Sequence, residues 1–125
     1  MNKLIYYIWY PLIHLFSMLP FPVLYRISDL LYHPLSWIGY RKQVIIENLK
    51  KAFPEKDDEW RKDVLEKFYR HFCDLLVETI KLQHISDHEI EKRISFSNTE
   101  IIDEATEKGK DVIAVLGHYG NWEWV

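Results

Sequence analysis

The sequence is short of cysteine, of glycine and, over its first third, of charge. Its single cysteine, Cys73, excludes an internal disulfide and fits a reducing compartment. Flanked by Phe72 and Leu75, Cys73 reads as a core thiol, the usual place for a free cysteine. Basic residues are not in excess. The 16 Lys and Arg against 19 Asp and Glu leave a net charge of −3, which excludes a generally basic nucleic-acid binder. Of the four glycines, Gly117 and Gly120 stand almost side by side, and such residues let backbone approach a ligand closely. No repeat and no low-complexity linker breaks up the 125 residues, which amount to one domain's worth of chain.

The shortage of charge is local. Only Lys3, Arg26 and Asp29 precede residue 41, and "LIYYIWYPLIHLFSMLPFPVL", from Leu4 to Leu24, has no formal charge at all. That run could reach across a hydrocarbon core of about 30 Å. Pro11, Pro20 and Pro22 interrupt it, and Tyr6, Tyr7, Trp9 and Tyr10 are residues of a membrane–water interface. Three readings are open: a cleaved signal peptide, a buried helix of a soluble protein, and an uncleaved anchor that spans the bilayer or lies in its interface. No small-x-small cleavage site follows the run, so the anchor is the expectation. Lys3 before it, and Arg26, Arg41 and Lys42 after it, lean the rest of the chain toward the cytoplasm.

Helical signals dominate the middle. In "RKQVIIENLKKAF" (41–53), Val44, Ile45, Asn48, Leu49 and Ala52 share one helical face, and Pro54 ends the helix. In "DDEWRKDVLEKFYRHFCDLLVETIKLQ" (57–83) the periodic stripe is Trp60, Val64, Leu65, Phe68, Phe72, Leu75, Leu76 and Ile80, with Asp57 or Asp58 as N-cap. "SDHE" (86–89) is a capping box. "ISFS" (94–97) is a strand candidate, Asn98 or Thr99 caps a helix through Lys108 with Gly109 in the C′ position, and "DVIAVL" (111–116) reads as a buried parallel strand. The expected fold class is α/β: a membrane-associated helix (1–25), a helical region (26–93), then the strand–helix–strand–loop start of an α/β core (94–125). So short a sheet would be the front part of a larger protein, inactive by itself because two strands cannot hold a site rigidly.

Candidate chemistry rests on histidine. With six His and 19 acidic residues, about one H-x4-E pair is expected by chance. Two occur, His84 with Glu89 and His118 with Glu123. Glu89 already has a capping role, and no glycine or strand precedes His84. His84 and His88 stand four apart, but Ser86 opens a helix between them and no further ligand completes a metal site, so neither a metal nor a cofactor is expected. His71, in the long helix, reads as a surface or boundary residue. His118 follows the expected strand and precedes a helix start, the place where open α/β sheets put their sites. A loop folding back at Gly120, with Asn121 as cap, brings the Glu123 carboxylate to one imidazole nitrogen and leaves the other as a base. That is the base-and-orienter half of a triad, and with no Ser or Cys in the motif the nucleophile comes from the substrate. The plainer reading is a tight strand–helix turn around an ordinary histidine.

"GHYGNWEW" (117–124) resembles the H-x4-D/E motif of the glycerolipid acyltransferase superfamily. Its Gly-Asn-Trp-Glu form is similar to the late lipid A acyltransferases of Gram-negative bacteria, the lauroyl and myristoyl transferases of lipopolysaccharide synthesis. "YRKQVIIENLKKAFPEK" (40–56) and "FYRHFCDLLVETIK" (68–81) resemble the same family in register. The resemblance implies a membrane-associated O-acyltransferase at the cytoplasmic face of the bacterial inner membrane. It implies an acyl carrier protein as donor, a lipid A precursor as acceptor, His118 as general base and Glu123 as its orienting carboxylate. Gly120 and Asn121 would support the loop or help hold the oxyanion. Arg41, Lys42, Lys50, Lys51, Arg61 and Lys62 are either a docking surface for the acidic donor or, with Glu and Asp interspersed, an ordinary solvated face. A lysophospholipid or other lipid acceptor, and a non-catalytic anchoring or interaction module, are the alternatives. Acyl chain length and the accepting hydroxyl stay open.

Overall fold

The computed structural model describes residues 3–117 and 119–124. Among the described residues six α-helices follow one another: α1 (Lys3–Ser17), α2 (Phe21–Ile38), α3 (Lys42–Ala52), α4 (Asp58–Lys81), α5 (Asp87–Glu91) and α6 (Glu100–Glu107). Single 3-10 turns occupy Leu82–His84 and Trp122–Trp124. The chain divides into two compact units, residues 1–84 and 85–125.

In the first unit α4 is the spine. Its start is set by Asp57, whose carboxylate accepts from the Trp60 N–H at 2.8 Å and so satisfies one of the orphan donors of the first turn. The chain before it runs antiparallel along it. Tyr25 donates to Glu78 at 2.7 Å and Ser28 to Asp74 at 2.5 Å. The Arg70 guanidinium sits 4.2 Å over the Tyr32 ring. Beyond α2, the Tyr69 hydroxyl donates to the Tyr40 carbonyl at 3.0 Å, and Arg61 reaches the Phe53 carbonyl at 3.2 Å. The corner between α2 and α3 is a Schellman turn: Gly39, at φ +70°, donates to Ser36 O, and Tyr40 N–H reaches Leu35 O.

Of the stripe expected in α4, Leu65 alone is buried. Arg61, Leu65, Tyr69, Cys73, Val77 and Lys81, each four apart, are buried, together with Glu78. Phe68 and Leu76 are exposed, and Trp60, Val64, Phe72, Leu75 and Ile80 are only half-buried. Cys73 is in the core, as the sequence suggested. Because four residues overshoot one turn by about 40°, this seam winds about 200° round the helix from Arg61 to Lys81. Neighbours change along it, with α3 at its start, α2 in the middle and α1 at its end. Both terminal cations bury their aliphatic stems and spend their heads on helix C-termini. Arg61 donates to the carbonyls of Phe53 and Pro54 just past α3. Lys81 donates to Ser17 O at 2.9 Å and Leu19 O at 3.0 Å at the end of α1. In α3 the expected face is also rotated: Ile45, Ile46 and Leu49 are half-buried, whereas Val44, Asn48 and Ala52 are exposed.

The apolar run from Leu4 to Leu24 is two helices, not one. Pro20 lacks an N–H and stands in extended backbone (φ −68°, ψ 149°) as the N-cap of α2, so α1 ends at Ser17. Fifteen residues of helix reach about 22 Å, short of a hydrocarbon core of about 30 Å. No helix among the described residues is long and apolar enough to cross a membrane, which overturns the spanning form of the anchor. Nor is α1 the buried helix of the second reading, since only its last turn packs: Ser17 is fully buried while Tyr6 to Leu12 are exposed.

The α/β expectation is overturned as well. No strand occurs among the described residues, and neither 94–97 nor 111–116 forms one. A strand is stable only against a neighbour that takes up its N–H and C=O groups, and neither segment finds one. The supposed core strand is open to solvent instead, with Ile113 88% and Val115 91% exposed. The helix expected between the two segments forms, but without the expected cap: Thr99 stands in the N-cap position with helical backbone and no side-chain hydrogen bond to the first turn. Helix α6 closes on Gly109 at φ +66° in a Schellman turn, with Gly109 N–H to Thr106 O at 2.9 Å and Lys110 N–H to Ala105 O at 3.0 Å.

Candidate functional site

The "GHYGNWEW" motif lies in the second unit. His118 itself falls outside the described residues. Around it, Tyr119 N–H donates to Gly117 O at 2.9 Å, and Gly120 has φ +62°, the left-handed conformation that a reversal at this point needs. Asn121 is half-buried and precedes a single 3-10 turn, Trp122–Trp124, closed by Trp124 N–H to Asn121 O at 3.4 Å. The expected strand before the motif and α-helix after it are thus replaced by chain without regular secondary structure and one tight turn. Glu123 sits in the middle of that turn with its carboxylate exposed, available to a partner from outside the turn.

The turn is held by Arg93, a residue that no sequence motif singled out. Arg93 places its guanidinium 5.3 Å over the Trp124 ring, next to Glu123. Arg93 is itself fixed by its own N–H to Ile90 O at 2.8 Å and by the Glu89 carboxylate at 3.6 Å. Glu89 also pairs with Lys92 at 2.9 Å. That hydrogen bond, followed by the charges of Lys92, Arg93 and His88, holds the Glu89 carboxyl below its ordinary value. Ser86 caps α5 by accepting from Glu89 N–H at 3.3 Å, the forward half of the capping box. The link Glu89–Arg93–Trp124 was invisible in the sequence because its ends lie 35 positions apart and no periodicity joins them.

A second polar cluster lies in the first unit, where α1 meets the end of α4. Ser17 Oγ and His84 Nδ1 are 2.6 Å apart, and the His14 ring packs edge-on against His84 with centroids 4.3 Å apart. This has the outline of a nucleophile and its base, but Ser17 is fully buried, and its hydroxyl proton goes to the His14 carbonyl at 2.7 Å. The oxygen therefore accepts from Nδ1–H, and no substrate carbonyl can approach it. The pair fastens α1 to α4. His84 belongs to the 3-10 turn after α4 and His88 to α5, and no group of three potential ligands that could hold a metal occurs among the described residues. His71 is exposed. Of the six cations considered as a docking surface, Arg61 is withdrawn into the core, while Arg41, Lys42, Lys50, Lys51 and Lys62 are exposed.

No curated protein and no solved structure matches the chain. A family model, described as bacterial lipid A biosynthesis acyltransferase, matches residues 1–125, so it takes in the motif and the helices before it together. With the histidine–glutamate motif at one end of that span and the helical unit at the other, the chain belongs to the bacterial lipid A biosynthesis acyltransferase family.

Proposed function

We propose that the protein moves a fatty acyl group from acyl carrier protein to a hydroxyl of a lipid A precursor, at the cytoplasmic face of the bacterial inner membrane. His118 acts as general base and Glu123 orients it. Family membership across residues 1–125, with the histidine and the glutamate of the motif both in place, is the observation that carries this reading. His118 takes the proton of the acceptor hydroxyl, whose oxygen attacks the thioester carbonyl. Backbone N–H groups at Gly120 and Asn121 are the candidates for holding the oxyanion. Collapse expels the carrier's thiolate, which takes the proton back from the imidazolium. Glu123 is exposed on a short turn braced by Arg93, which leaves its carboxylate open to an imidazole from outside the turn.

Membrane association is supported by α1. Tyr6, Tyr7, Trp9, Tyr10, Leu12 and Leu15 are all exposed on a helix too short to span, and an aromatic-rich apolar helix of that length is accommodated in the plane of the interface.

The test is transfer of a labelled acyl group from acyl carrier protein to a lipid A precursor by the whole protein in membranes. His118→Ala should lower turnover by about 10²–10⁴, the usual worth of a placed base, with folding and membrane association unchanged. Glu123→Ala should fall short of that loss. Near-wild-type turnover in the His118 variant would overturn the general-base assignment, and no transfer by wild type to this acceptor would overturn the substrate.

A further inference from the structure

Helix α2 has two apolar faces, and only one is covered. Phe21, Leu24 and Ser28 are buried on the side toward α4. Elsewhere on the helix Val23, Leu30 and Trp37 recur every seven residues, and Pro34 and Ile38 fill the same stripe. Leu30 is 69%, Trp37 91% and Ile38 74% exposed. A contiguous apolar stripe of this kind marks an interaction surface. Past its end, the turn at Gly39 brings in Arg41 and Lys42. Both are exposed, and no carboxylate among the described residues pairs with either. An open pocket of about 520 Å³ lies between Trp37, Ile38, Arg41 and Lys42. Arg26, also exposed, flanks the same stripe.

We propose that this outer face of α2, with the Arg41–Lys42 corner, is a docking surface for an anionic phospholipid bilayer. The helix lies in the headgroup plane, with Leu30, Trp37 and Ile38 at the acyl boundary and Arg41 and Lys42 on lipid phosphates. The indole of Trp37 suits that depth, being apolar with one polar edge. Charge complementarity selects the bilayer over a second copy of the chain. A two-fold contact through this stripe gives Arg41 and Lys42 no anionic partner: parallel helices would set them near those of the other copy, and antiparallel helices would set them beside Val23 and Arg26 at the start of its stripe. The proposal rests on the membrane-associated reading above and adds to α1 a second contact, one that reads lipid charge.

The experiment is cosedimentation of the chain with vesicles of phosphatidylcholine alone, and with vesicles that also contain phosphatidylglycerol. Arg41→Asn/Lys42→Gln should weaken binding to the anionic vesicles by about thirtyfold at low salt and leave binding to neutral ones unchanged. Asn is chosen because Arg41 has φ +52°, which Asn tolerates. Leu30→Ser/Trp37→Ser/Ile38→Ser should weaken binding to both, with helicity checked by circular dichroism. A Trp9→Ser/Tyr10→Ser variant separates the two readings. If it loses binding while the corner variant and the stripe variant both bind like wild type, the bilayer contact belongs to α1 and the proposed surface is refuted. Wild type failing to bind either vesicle would sink the membrane reading together with the proposal. A defect seen only when the vesicles contain the lipid A precursor would make the corner a substrate site and overturn the assignment to bulk lipid.

Discussion

Replacing Lys81 by methionine keeps the aliphatic stem and removes only the ammonium group. Lys81 is buried, and its Nζ donates to Ser17 O at 2.9 Å and Leu19 O at 3.0 Å, with the Phe21 ring centroid 5.8 Å away. Hydrogen bonds from a charged donor contribute about 1.5–3 kcal/mol each, and a cation at a helix C-terminus adds about 0.3–1 kcal/mol. Against this stands the desolvation of the ammonium, several kcal/mol in itself. Methionine escapes that penalty but leaves two carbonyls without their donor. Leu19 is only half-buried, so water can reach its oxygen; Ser17 is fully buried. One orphaned buried carbonyl costs about 1–3 kcal/mol, and that is the net destabilisation expected. In urea, with a slope of about 1–3 kcal/mol/M for a small domain, the midpoint should fall by about 1 M. Hydrogen exchange should show where the loss is felt: protection at residues 14–19 should fall before that of α2 and α4, because the packed end of α1 depends on this contact. A methionine variant as stable as wild type, with α1 equally protected, would refute the reasoning. The ammonium's desolvation would then have matched its bonds, leaving His84 and Ser17 to hold α1.

Three further outcomes follow from the same packing. Burial, and after it the Asp74 charge, pushes the Cys73 thiol above its ordinary value. Its thiolate is therefore scarce near pH 8, and alkylation should be slow in the native chain and fast in urea. The sign for stability is a loss as pH rises beyond the ordinary thiol value of about 8.5, because the unfolded chain then gives up this proton more readily. Tyr25→Phe removes the 2.7 Å bond to the buried Glu78 and should cost about 1–3 kcal/mol in urea unfolding; no change in midpoint would show that water replaces the hydroxyl. For Glu89, whose carboxyl is held low first by the Lys92 hydrogen bond, the support given to α5 is present above the ordinary carboxylate value of about 4.3. It is lost as pH falls through the lowered value. Glu89→Gln should speed hydrogen exchange in residues 86–93 at neutral pH, less so in 1 M salt, and an effect indifferent to salt would rule out the ion pairs as its cause.

Local signals in the sequence were mostly read correctly, although the cap expected at Asn98 or Thr99 makes no side-chain hydrogen bond. A cap needs one side chain three residues from an N–H, and Asp57 and Ser86 cap where that rule puts them. A left-handed C′ position needs glycine, and Gly109 supplies it. The ends of α3 and α4 follow from Pro54 and Asp57 for the same reason, and the chemical identity of the motif was legible as a string of residue types. Tertiary structure decided what depended on a partner. Whether 94–97 and 111–116 are strands turns on a neighbouring strand, and neither segment has one among the described residues. Which face of α4 is buried was set by the carbonyls at the ends of α1 and α3. They accept Lys81 and Arg61, and so draw into the core two residues that periodicity assigns to water. Pro11, Pro20 and Pro22 showed in the sequence that the apolar N-terminal run would be interrupted, but Pro11 lies inside α1 and the break falls at Pro20. Only the packed structure showed that its first half stays exposed while its second half joins α2 against α4. A side chain's hydropathy is its own, but the donor or acceptor that makes its burial affordable belongs to another part of the chain.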